Sequence, residues 1–269
     1  TKHPFMKDTY ESLIEDIAEV AGYLWNKGWA ERNAGNISVN VTEYIPASLS
    51  DKPALCPQVK LPKAFVALSN QYLFVTGTGK RMRDVTRKPF DNASIIRING
   101  GGDAYEIIAE QPIVPTSELP AHLSIHCWLK EHRSDCKVVL HTHPTDLIAL
   151  SQTAKYKDEA TLNALLWGMH PETLIVLPKG VGVVPYEVPG TMEIADLTLR
   201  ALESHDVVIW EKHGCLAIGE NIIDAFDMID TLSKSAQIFF YCKTAGLDPE
   251  GLTQNNFKDL INAFKLEMG

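Results

Sequence analysis

Three histidines are spaced so that they could bind one metal ion. His141 and His143 stand two residues apart at the end of an apolar run, and His213 follows a second apolar run, directly before Gly214. Because residues i and i+2 of a strand point to the same face, His141 and His143 can direct two imidazoles to one point, where His213 can supply a third. Three neutral imidazoles with an open fourth position are typical of a catalytic zinc site. Neutral ligands leave the charge of the metal available to stabilise an anion.

A second pair, His122 and His126, has helical spacing. It lacks the His-Glu-x-x-His pattern of metalloproteases, and its apolar neighbours favour a packing role within a helix. The His141-Thr-His143 pair taken alone is also compatible with ordinary core or edge histidines. Spacing by itself therefore leaves both interpretations open.

Glu118 is the main candidate for acid–base chemistry. It stands beside Ser117 in the first turn of a helix predicted to open around residues 116–120 and to reach about residue 132, with Ser117 as its N-cap. A first-turn glutamate is also favoured by the helix dipole alone. Beside a metal site, the same carboxylate could move a carbon-bound proton.

Two glycine-containing turns carry polar side chains that could bind a phosphate. The first contains Asn33, Asn36 and Ser38, and the second contains Thr76, Thr78 and Lys80. Backbone N–H groups together with amides and hydroxyls can form an anion nest, although either turn could equally be an ordinary tight turn.

The second turn is not a Walker A loop. Phe74 occupies the place of the first glycine of that motif, and Lys80 is followed by Arg81 rather than by Ser or Thr. A nucleotide is therefore not predicted.

Composition argues against two classes of binding partner, membranes and nucleic acids. The content of hydrophobic residues is 45% and that of charged residues is 22%, as in soluble globular proteins. No apolar stretch approaches the roughly 20 residues of a membrane span. The net charge of −9 argues against a nucleic-acid partner. We expect a protein that binds neither membrane nor nucleic acid.

The cysteines and the first residues indicate a cytoplasmic location. The chain has five cysteines, an odd number without Cys-x-x-Cys spacing, which are typical of reduced thiols in a cytosolic protein. No signal peptide is visible over residues 1–8, although the chain begins without Met.

Periodicity predicts alternating helices and short strands. This alternation predicts a mixed or antiparallel sheet that is covered by helices on both faces. No linker or internal repeat divides the chain, so one domain over residues 1–269 is predicted. The residues from 46 to 62 are expected to form a loop, and those from 180 to 189 a Gly/Pro-rich passage. The predicted helices cover residues 10–29, 146–152, 159–166, 192–204, 222–245 and 256–266, besides the one that ends near 132; the strands cover 39–41, 65–68, 72–75, 94–99, 104–109, 137–141, 173–178, 207–210 and 215–218.

In combination, these motifs resemble the class II aldolase/adducin family over nearly the whole chain. The series Ser-Glu, His-x-His and His-Gly marks the family, and the resemblance thins at residues 42–71 and after Gly246. Segments that indicate the branch acting on L-rhamnulose 1-phosphate are Glu-Arg-Asn-Ala-Gly-Asn at 31–36, Thr-Ser-Glu-Leu-Pro-Ala-His at 116–122 and Val-Pro-Gly-Thr at 188–191. The resemblance implies an α/β fold of three layers, α/β/α, with a central mixed and largely antiparallel sheet.

The resemblance also implies roles for individual residues. His141, His143 and His213 would bind Zn²⁺, and Glu118 would be the catalytic carboxylate. Members of this family are similar in forming fourfold homotetramers with active sites at subunit interfaces, and Glu172 matches a position where the neighbouring subunit contributes a carboxylate, although its flanking residues match less well. The substrate phosphate would be bound by Asn33, Gly35, Asn36, Thr78, Gly79 and Ser117.

The implied reaction is a retro-aldol cleavage of L-rhamnulose 1-phosphate to dihydroxyacetone phosphate and L-lactaldehyde. Alternatives within the family are cleavage of L-fuculose 1-phosphate and epimerisation of a pentulose 5-phosphate. An adducin-like module without catalysis is the alternative from another class, and the complete set of three histidines together with Glu118 disfavours it.

Overall fold

The structure is a computed structural model that describes residues 9–269, so the expectation about a signal peptide lies outside the described residues. It consists of two compact units. Of the described residues, the first unit contains 9–139 and 220–223, and the second contains 140–219 and 224–269. The single domain predicted from the sequence stays a prediction. Among residues 9–269, every helix is too short or too polar to cross a membrane.

The first unit contains a purely antiparallel set of five strands with short helices between them. The strands follow the order β2-β5-β4-β3-β1, and each neighbouring pair is antiparallel. The strands are β1 Asn36–Asn40, β2 Val59–Lys60, β3 Tyr72–Thr76, β4 Ala93–Ile98 and β5 Ala104–Ala109; the helices are α1 Tyr10–Asn26, α2 Ala47–Ser50, α3 Met82–Val85, α4 Pro89–Asn92 and α5 Leu119–His132.

Helix α1 begins at a reciprocal cap and buries one face. The hydroxyl of Thr9 accepts a hydrogen bond from the backbone of Ser12, and the hydroxyl of Ser12 accepts one from the backbone of Thr9. The buried positions recur at helical spacing, as the sequence predicts. They are Ile14, Ile17, Val20, Ala21 and Leu24.

The core of the first unit joins its strands to helix α5. Leu119 and Leu123 of α5 pack against apolar side chains that alternate along β3, β4 and β5. Because this packing fixes the first turn of α5, it also fixes the residue that precedes the helix, Glu118. The strand and loop members of this core are Phe65, Leu68, Leu73, Val75, Ile96, Ile98, Tyr105 and Ile107.

Several local predictions for the first unit were wrong. The run at 65–68 is not a strand but contains the 3-10 turn Val66–Leu68, and the expected loop at 46–62 contains α2 and β2. The N-cap of α5 is Glu118 rather than Ser117, and no side chain caps that end. Short apolar runs and polar first turns fit more than one local structure, and tertiary contacts decide between them.

The second unit contains the strands β7, β8 and β9. They follow the order β9-β8-β7, in which β8 and β9 are antiparallel whereas β7 and β8 are parallel. The predicted mixed sheet with helices is therefore confirmed. Two elements, β6 and α10, contain residues of both units. The strands are β6 Val138–Thr142, β7 Val181–Val184, β8 Val207–Trp210 and β9 Gly214–Gly219. The helices are α6 Thr145–Ser151, α7 Glu159–Met169, α8 Pro171–Val176, α9 Met192–Leu202, α10 Ile222–Thr244 and α11 Gln254–Phe264.

One predicted strand of the second unit is a helix, and one observed strand was missed. Residues 173–178 were predicted as a strand, but α8 covers most of them, with Pro171 in its first turn, where proline is favoured. Strand β7 lies in the predicted Gly/Pro-rich passage. The side chain of Asn163 fixes this strand, since its amide accepts from the Val181 N–H at 2.8 Å and donates to the Val181 carbonyl at 3.0 Å.

Candidate active site

The structure brings the three predicted metal ligands together within the second unit. One ring nitrogen from each of His141, His143 and His213 lies within 4.8 Å of the corresponding atoms of the other two. The ring centroids are 5.0 to 5.1 Å apart. His141 is the fourth residue of β6 and His143 directly follows that strand, so the i, i+2 relationship operates at the end of a strand as predicted from the sequence.

His213 is presented by the tight turn between β8 and β9. Trp210 pairs with Gly214 across the hairpin, which leaves a loop of only three residues. Lys212 in this loop has a positive φ of 62°, a conformation that is unusual for a residue other than glycine. Its N–H donates to the hydroxyl of Ser151 at 2.8 Å, and the N–H of His213 donates to the carbonyl of Trp210 at 3.0 Å. These bonds fix the direction of the His213 side chain.

Gly214 allows the histidines to approach one another. A Cβ added at this position would lie 2.5 Å from the carbonyl oxygen of Thr142, 2.9 Å from Cδ2 of His143 and 3.2 Å from Cε1 of His141. Any side chain would therefore collide with the backbone and with both ligand rings. The close approach explains why a glycine must follow His213.

The ring of His141 is oriented by a hydrogen bond on the side away from its partners. Its Nδ1 lies 2.9 Å from the carbonyl oxygen of Cys215, which can only accept, so Nδ1 carries the hydrogen and Nε2 keeps its lone pair. The indole of Trp210 packs against the same ring, with centroids 4.4 Å apart. A histidine ligand whose second nitrogen donates to a carbonyl is typical of metal sites. The donor set and its orientation fit a divalent transition metal such as zinc.

Glu118 lies in the first unit and is half-buried. Its Oε2 accepts a hydrogen bond of 2.7 Å from the side-chain amide of Asn36, and its backbone N–H donates to the hydroxyl of Thr116 at 3.3 Å. As the N-cap residue of α5, it also lies at the positive end of the helix dipole.

Backbone and side-chain hydrogen bonds place the two glycine turns beside the segment that leads to Glu118. The N–H of Ile37 donates to the hydroxyl of Thr76 at 3.0 Å, and the N–H of Thr116 donates to the carbonyl of Thr76 at 2.9 Å. The N–H of Thr78 donates to the carbonyl of Val114 at 2.9 Å. Thr76 thus joins the two turns to the residues before α5.

The polar groups predicted to bind phosphate differ in their accessibility. Asn33, Thr78, Gly79 and Ser117 are exposed, whereas Asn36 is buried. Since the backbone N–H of Thr78 is already bonded, its hydroxyl is the group that remains available. Gly35 and Gly79 have positive φ values of 82° and 68°, a conformation that favours glycine at these two turns.

Two of the polar residues predicted in the glycine turns, Ser38 and Thr76, are buried. The hydroxyl of Ser38 contacts the imidazoles of His122 and His126. The packing role predicted for these two histidines is therefore incomplete, because each takes part in a buried polar network. Glu172 is exposed in the first turn of α8 in the second unit.

Burial keeps the two buried histidines of α5, His122 and His126, neutral. Desolvation lowers the pKa of His122 to about 4, and the nearby charge of Glu118 opposes this shift. Desolvation together with the proximity of His122 lowers the pKa of His126 to about 3. Spacing alone does not predict that either histidine joins a hydrogen-bonded network, since the partner residue lies more than 80 residues away in sequence.

The fold and the motifs define a family. Residues 15–240 match the model of the class II aldolase and adducin N-terminal domain, and the chain belongs to this family. A sugar-phosphate aldolase from Thermotoga maritima superposes with a TM-score of 0.78 at 33% sequence identity, covering 90% of this chain and 99% of that one.

Two relatives are similar to this chain over nearly its whole length. The chain is 43% identical over 253 residues to the rhamnulose-1-phosphate aldolase of Bacteroides thetaiotaomicron, covering 94% of each chain. It is 37% identical over 256 residues to the rhamnulose-1-phosphate aldolase of Mannheimia succiniciproducens, again covering 94% of each chain.

Proposed function

We propose that this protein is a zinc-dependent aldolase that cleaves L-rhamnulose 1-phosphate to dihydroxyacetone phosphate and L-lactaldehyde. The observation that carries this proposal is the convergence of His141, His143 and His213 in a chain that is 43% identical to a rhamnulose-1-phosphate aldolase over nearly its full length. An adducin-like module without catalysis would have no need of three converging ligands or of a glycine that lets them approach.

The three histidines would hold the metal through their ring nitrogens. When bound, the metal supplies Lewis-acid stabilisation of the negative charge that develops on the dihydroxyacetone phosphate half of the substrate. Within the protein, the Cys215 carbonyl keeps the hydrogen of His141 on Nδ1, and the tight turn at Lys212 keeps His213 directed toward the other two rings.

Glu118 would transfer the proton at carbon. Breaking the C3–C4 bond leaves an electron pair on C3, and that carbon takes up a proton from Glu118 during cleavage. In the direction of synthesis, Glu118 removes the same proton. The hydrogen bond from the Asn36 amide holds the carboxylate of Glu118 in one orientation at the start of α5.

The phosphate of the substrate would bind at the two glycine turns. This proposal is supported by the hydrogen bonds of Thr76, which join the two turns to the residues before α5. The polar groups of Asn33, Thr78 and Ser117 are exposed there, and Gly35 and Gly79 form the turns with positive φ values. Asn36 belongs to the first glycine turn, and its side-chain amide donates to Glu118. It would therefore connect the turn that binds the phosphate with the carboxylate that transfers the proton.

We further propose a cytoplasmic homotetramer in which Glu172 of one subunit serves the active site of the next. All five cysteines are free, in keeping with a reducing compartment. Glu172 is exposed and is therefore accessible to a neighbouring subunit, where it would take the proton from the hydroxyl that becomes the aldehyde oxygen.

A coupled assay tests the substrate directly. Dihydroxyacetone phosphate release is measured with L-rhamnulose 1-phosphate and with L-fuculose 1-phosphate, which share the phosphate and differ in stereochemistry. The proposal predicts a higher kcat/KM for L-rhamnulose 1-phosphate. Preference for L-fuculose 1-phosphate would assign the protein to the other aldolase branch, and no release from either would reject an aldolase.

A further inference from the structure

A continuous chain of hydrogen bonds runs from Glu118 into the interior of the first unit. The amide Nδ2 of Asn36 lies 2.7 Å from Oε2 of Glu118, and Oδ1 of the same amide lies 2.5 Å from Nε2 of His122. The hydroxyl of Ser38 then lies 2.5 Å from Nδ1 of His122 and 2.7 Å from Nε2 of His126. Four side chains thus form a linear chain that begins at one carboxylate oxygen of Glu118.

The spacing of the helix and of the strand explains why these groups meet. Glu118, His122 and His126 are four residues apart, so they follow one face of α5. Asn36 and Ser38 are two residues apart on β1, so they point to the same side of the strand. Asn36, Ser38 and both histidines are all buried, which excludes water as a general substitute for these partners.

The ionised carboxylate of Glu118 determines the direction of every bond in this chain. A carboxylate can only accept, so the NH₂ group of Asn36 faces it, and Oδ1 faces His122. Nε2 of His122 must then carry the hydrogen, which leaves Nδ1 as an acceptor for the Ser38 hydroxyl. The oxygen of Ser38 in turn accepts from Nε2–H of His126. This order gives a donor and an acceptor to each of the four side-chain bonds.

The reverse arrangement would oppose an ionised Glu118. If His122 carried its hydrogen on Nδ1, its bare Nε2 would require the NH₂ group of Asn36. The amide would then turn its oxygen toward the carboxylate, placing two acceptors 2.7 Å apart. An unsatisfied or repelled buried group costs about 1–3 kcal/mol. Ser38 and His126 therefore act on Glu118 through the tautomer of His122.

We propose that Ser38, His122 and His126 are positioning residues that hold the Asn36 amide in the orientation in which it donates to Glu118. The inference rests on the proposed function, because it assumes that Glu118 transfers the proton at C3. None of the three residues needs to touch the substrate. Their role is to keep one donor directed at the catalytic carboxylate, so that the carboxylate is both oriented and ready to accept a proton.

Two substitutions at the same position separate this role from simple packing. In H122Q the amide nitrogen of glutamine takes the place of Nε2 and can still donate to Asn36. In H122N the shorter side chain reproduces the Nδ1 end and cannot reach Asn36 with a donor. H132N, at the exposed histidine of the same helix, is the matched control.

The readout is the exchange of the C3 hydrogen of dihydroxyacetone phosphate with D₂O, followed by NMR, together with kcat and KM for cleavage. We expect H122N to slow exchange and kcat by roughly 10- to 100-fold, as a displaced catalytic group does, with KM within about twofold of wild type. H122Q should recover most of that loss, and H132N should match wild type. Equal rates in H122N and wild type, or equal losses in H122N and H122Q, would overturn the proposal.

The tautomers supply a test that does not depend on activity. In ¹⁵N-histidine-labelled enzyme, His122 should carry its hydrogen on Nε2 with an unprotonated Nδ1, and S38A, which removes the donor to Nδ1, should alter the chemical shift of that nitrogen. A hydrogen on Nδ1 of His122 in the wild-type enzyme would contradict the proposal even if all variants fold poorly.

Failure of the proposed function and failure of the positioning role give different results. If wild-type enzyme neither cleaves the sugar phosphate nor exchanges the C3 hydrogen, the proposed function fails. If wild type does both and H122N exchanges at the same rate, the proposed function stands and the positioning role of His122 fails.

Discussion

Ser38 places its hydroxyl 2.7 Å from Nε2 of His126, and both residues are buried. The hydroxyl also contacts His122, which is buried as well, and burial disfavours the charged form of both imidazoles. Burial lowers the pKa of both imidazoles below the ordinary value of 6.5. The consequence is a dependence of folding stability on pH.

Stability should decrease as the pH falls from about 6.5 toward 4. In that window His122 binds a proton in the unfolded chain but stays neutral in the folded chain, so protonation favours unfolding. Above pH 6.5 the folded state keeps its full stability with respect to this group. Between pH 7 and 5 we expect this one histidine to account for a loss of about 2 kcal/mol in the free energy of unfolding.

Urea unfolding at the two pH values checks this expectation. H122Q, which has no titrating ring, should lose correspondingly less stability than wild type, whatever its starting stability. H132N should retain the wild-type loss. An equal decrease in H122Q and wild type would show that His122 is not the group responsible.

Glu118→Gln keeps the size of the side chain and removes its basicity. We expect the metal content to be retained and cleavage to slow by ~10²-fold or more, the range that general acid–base groups contribute. Steady-state kinetics with metal analysis measure both quantities. Glu131→Gln, at an exposed glutamate of the same helix, is the control. A near-wild-type rate in Glu118→Gln would reduce Glu118 to a residue that stabilises the helix end.

Asn33→Ala tests the phosphate site. Since Asn33 is exposed in the first glycine turn, its loss should raise KM for the phosphorylated ketose without reducing the weak turnover of the unphosphorylated sugar. Comparing kcat and KM for the two substrates separates phosphate binding from general damage. Equal losses on both would indicate a folding defect or another role.

Glu172→Ala tests whether a neighbouring subunit completes each site. We expect zinc and phosphate binding to persist while cleavage slows, and Glu193→Ala, in the first turn of α9, should remain fully active. Mixed tetramers of Glu172→Ala and Glu118→Ala subunits should regain activity that neither parent shows, because some interfaces then combine both intact carboxylates. Exchanged subunits without recovery, or an active monomer in sedimentation, would contradict sharing between subunits.

The sequence predicts the site best where the chemistry depends on short spacing. His141 and His143 share a face because they are two residues apart, and Gly214 follows His213 in the same motif. The sequence could not indicate that Asn36 meets Glu118, since 82 residues separate them and the contact arises from packing α5 against β1. For the same reason His122 and His126 could be predicted as buried but not as members of a hydrogen-bonded chain.

Local structure was predicted least well where an apolar run was short. Residues 173–178 are compatible with either a strand or a helix, and Pro171 together with the buried Leu174 decides for helix α8. Strand β7 was missed because its glycine and its neighbours resemble a loop, while its position depends on the distant amide of Asn163.

We expect cleavage to depend on a zinc ion held by His141, His143 and His213. The most direct measurement follows the release of dihydroxyacetone phosphate from L-rhamnulose 1-phosphate, with zinc content determined on the same samples. Wild-type enzyme should carry one zinc per chain, lose activity with the zinc on chelation and recover both when zinc is returned, whereas His143→Ala should have neither. Full activity in zinc-free wild type, or wild-type zinc content and activity in His143→Ala, would contradict the account.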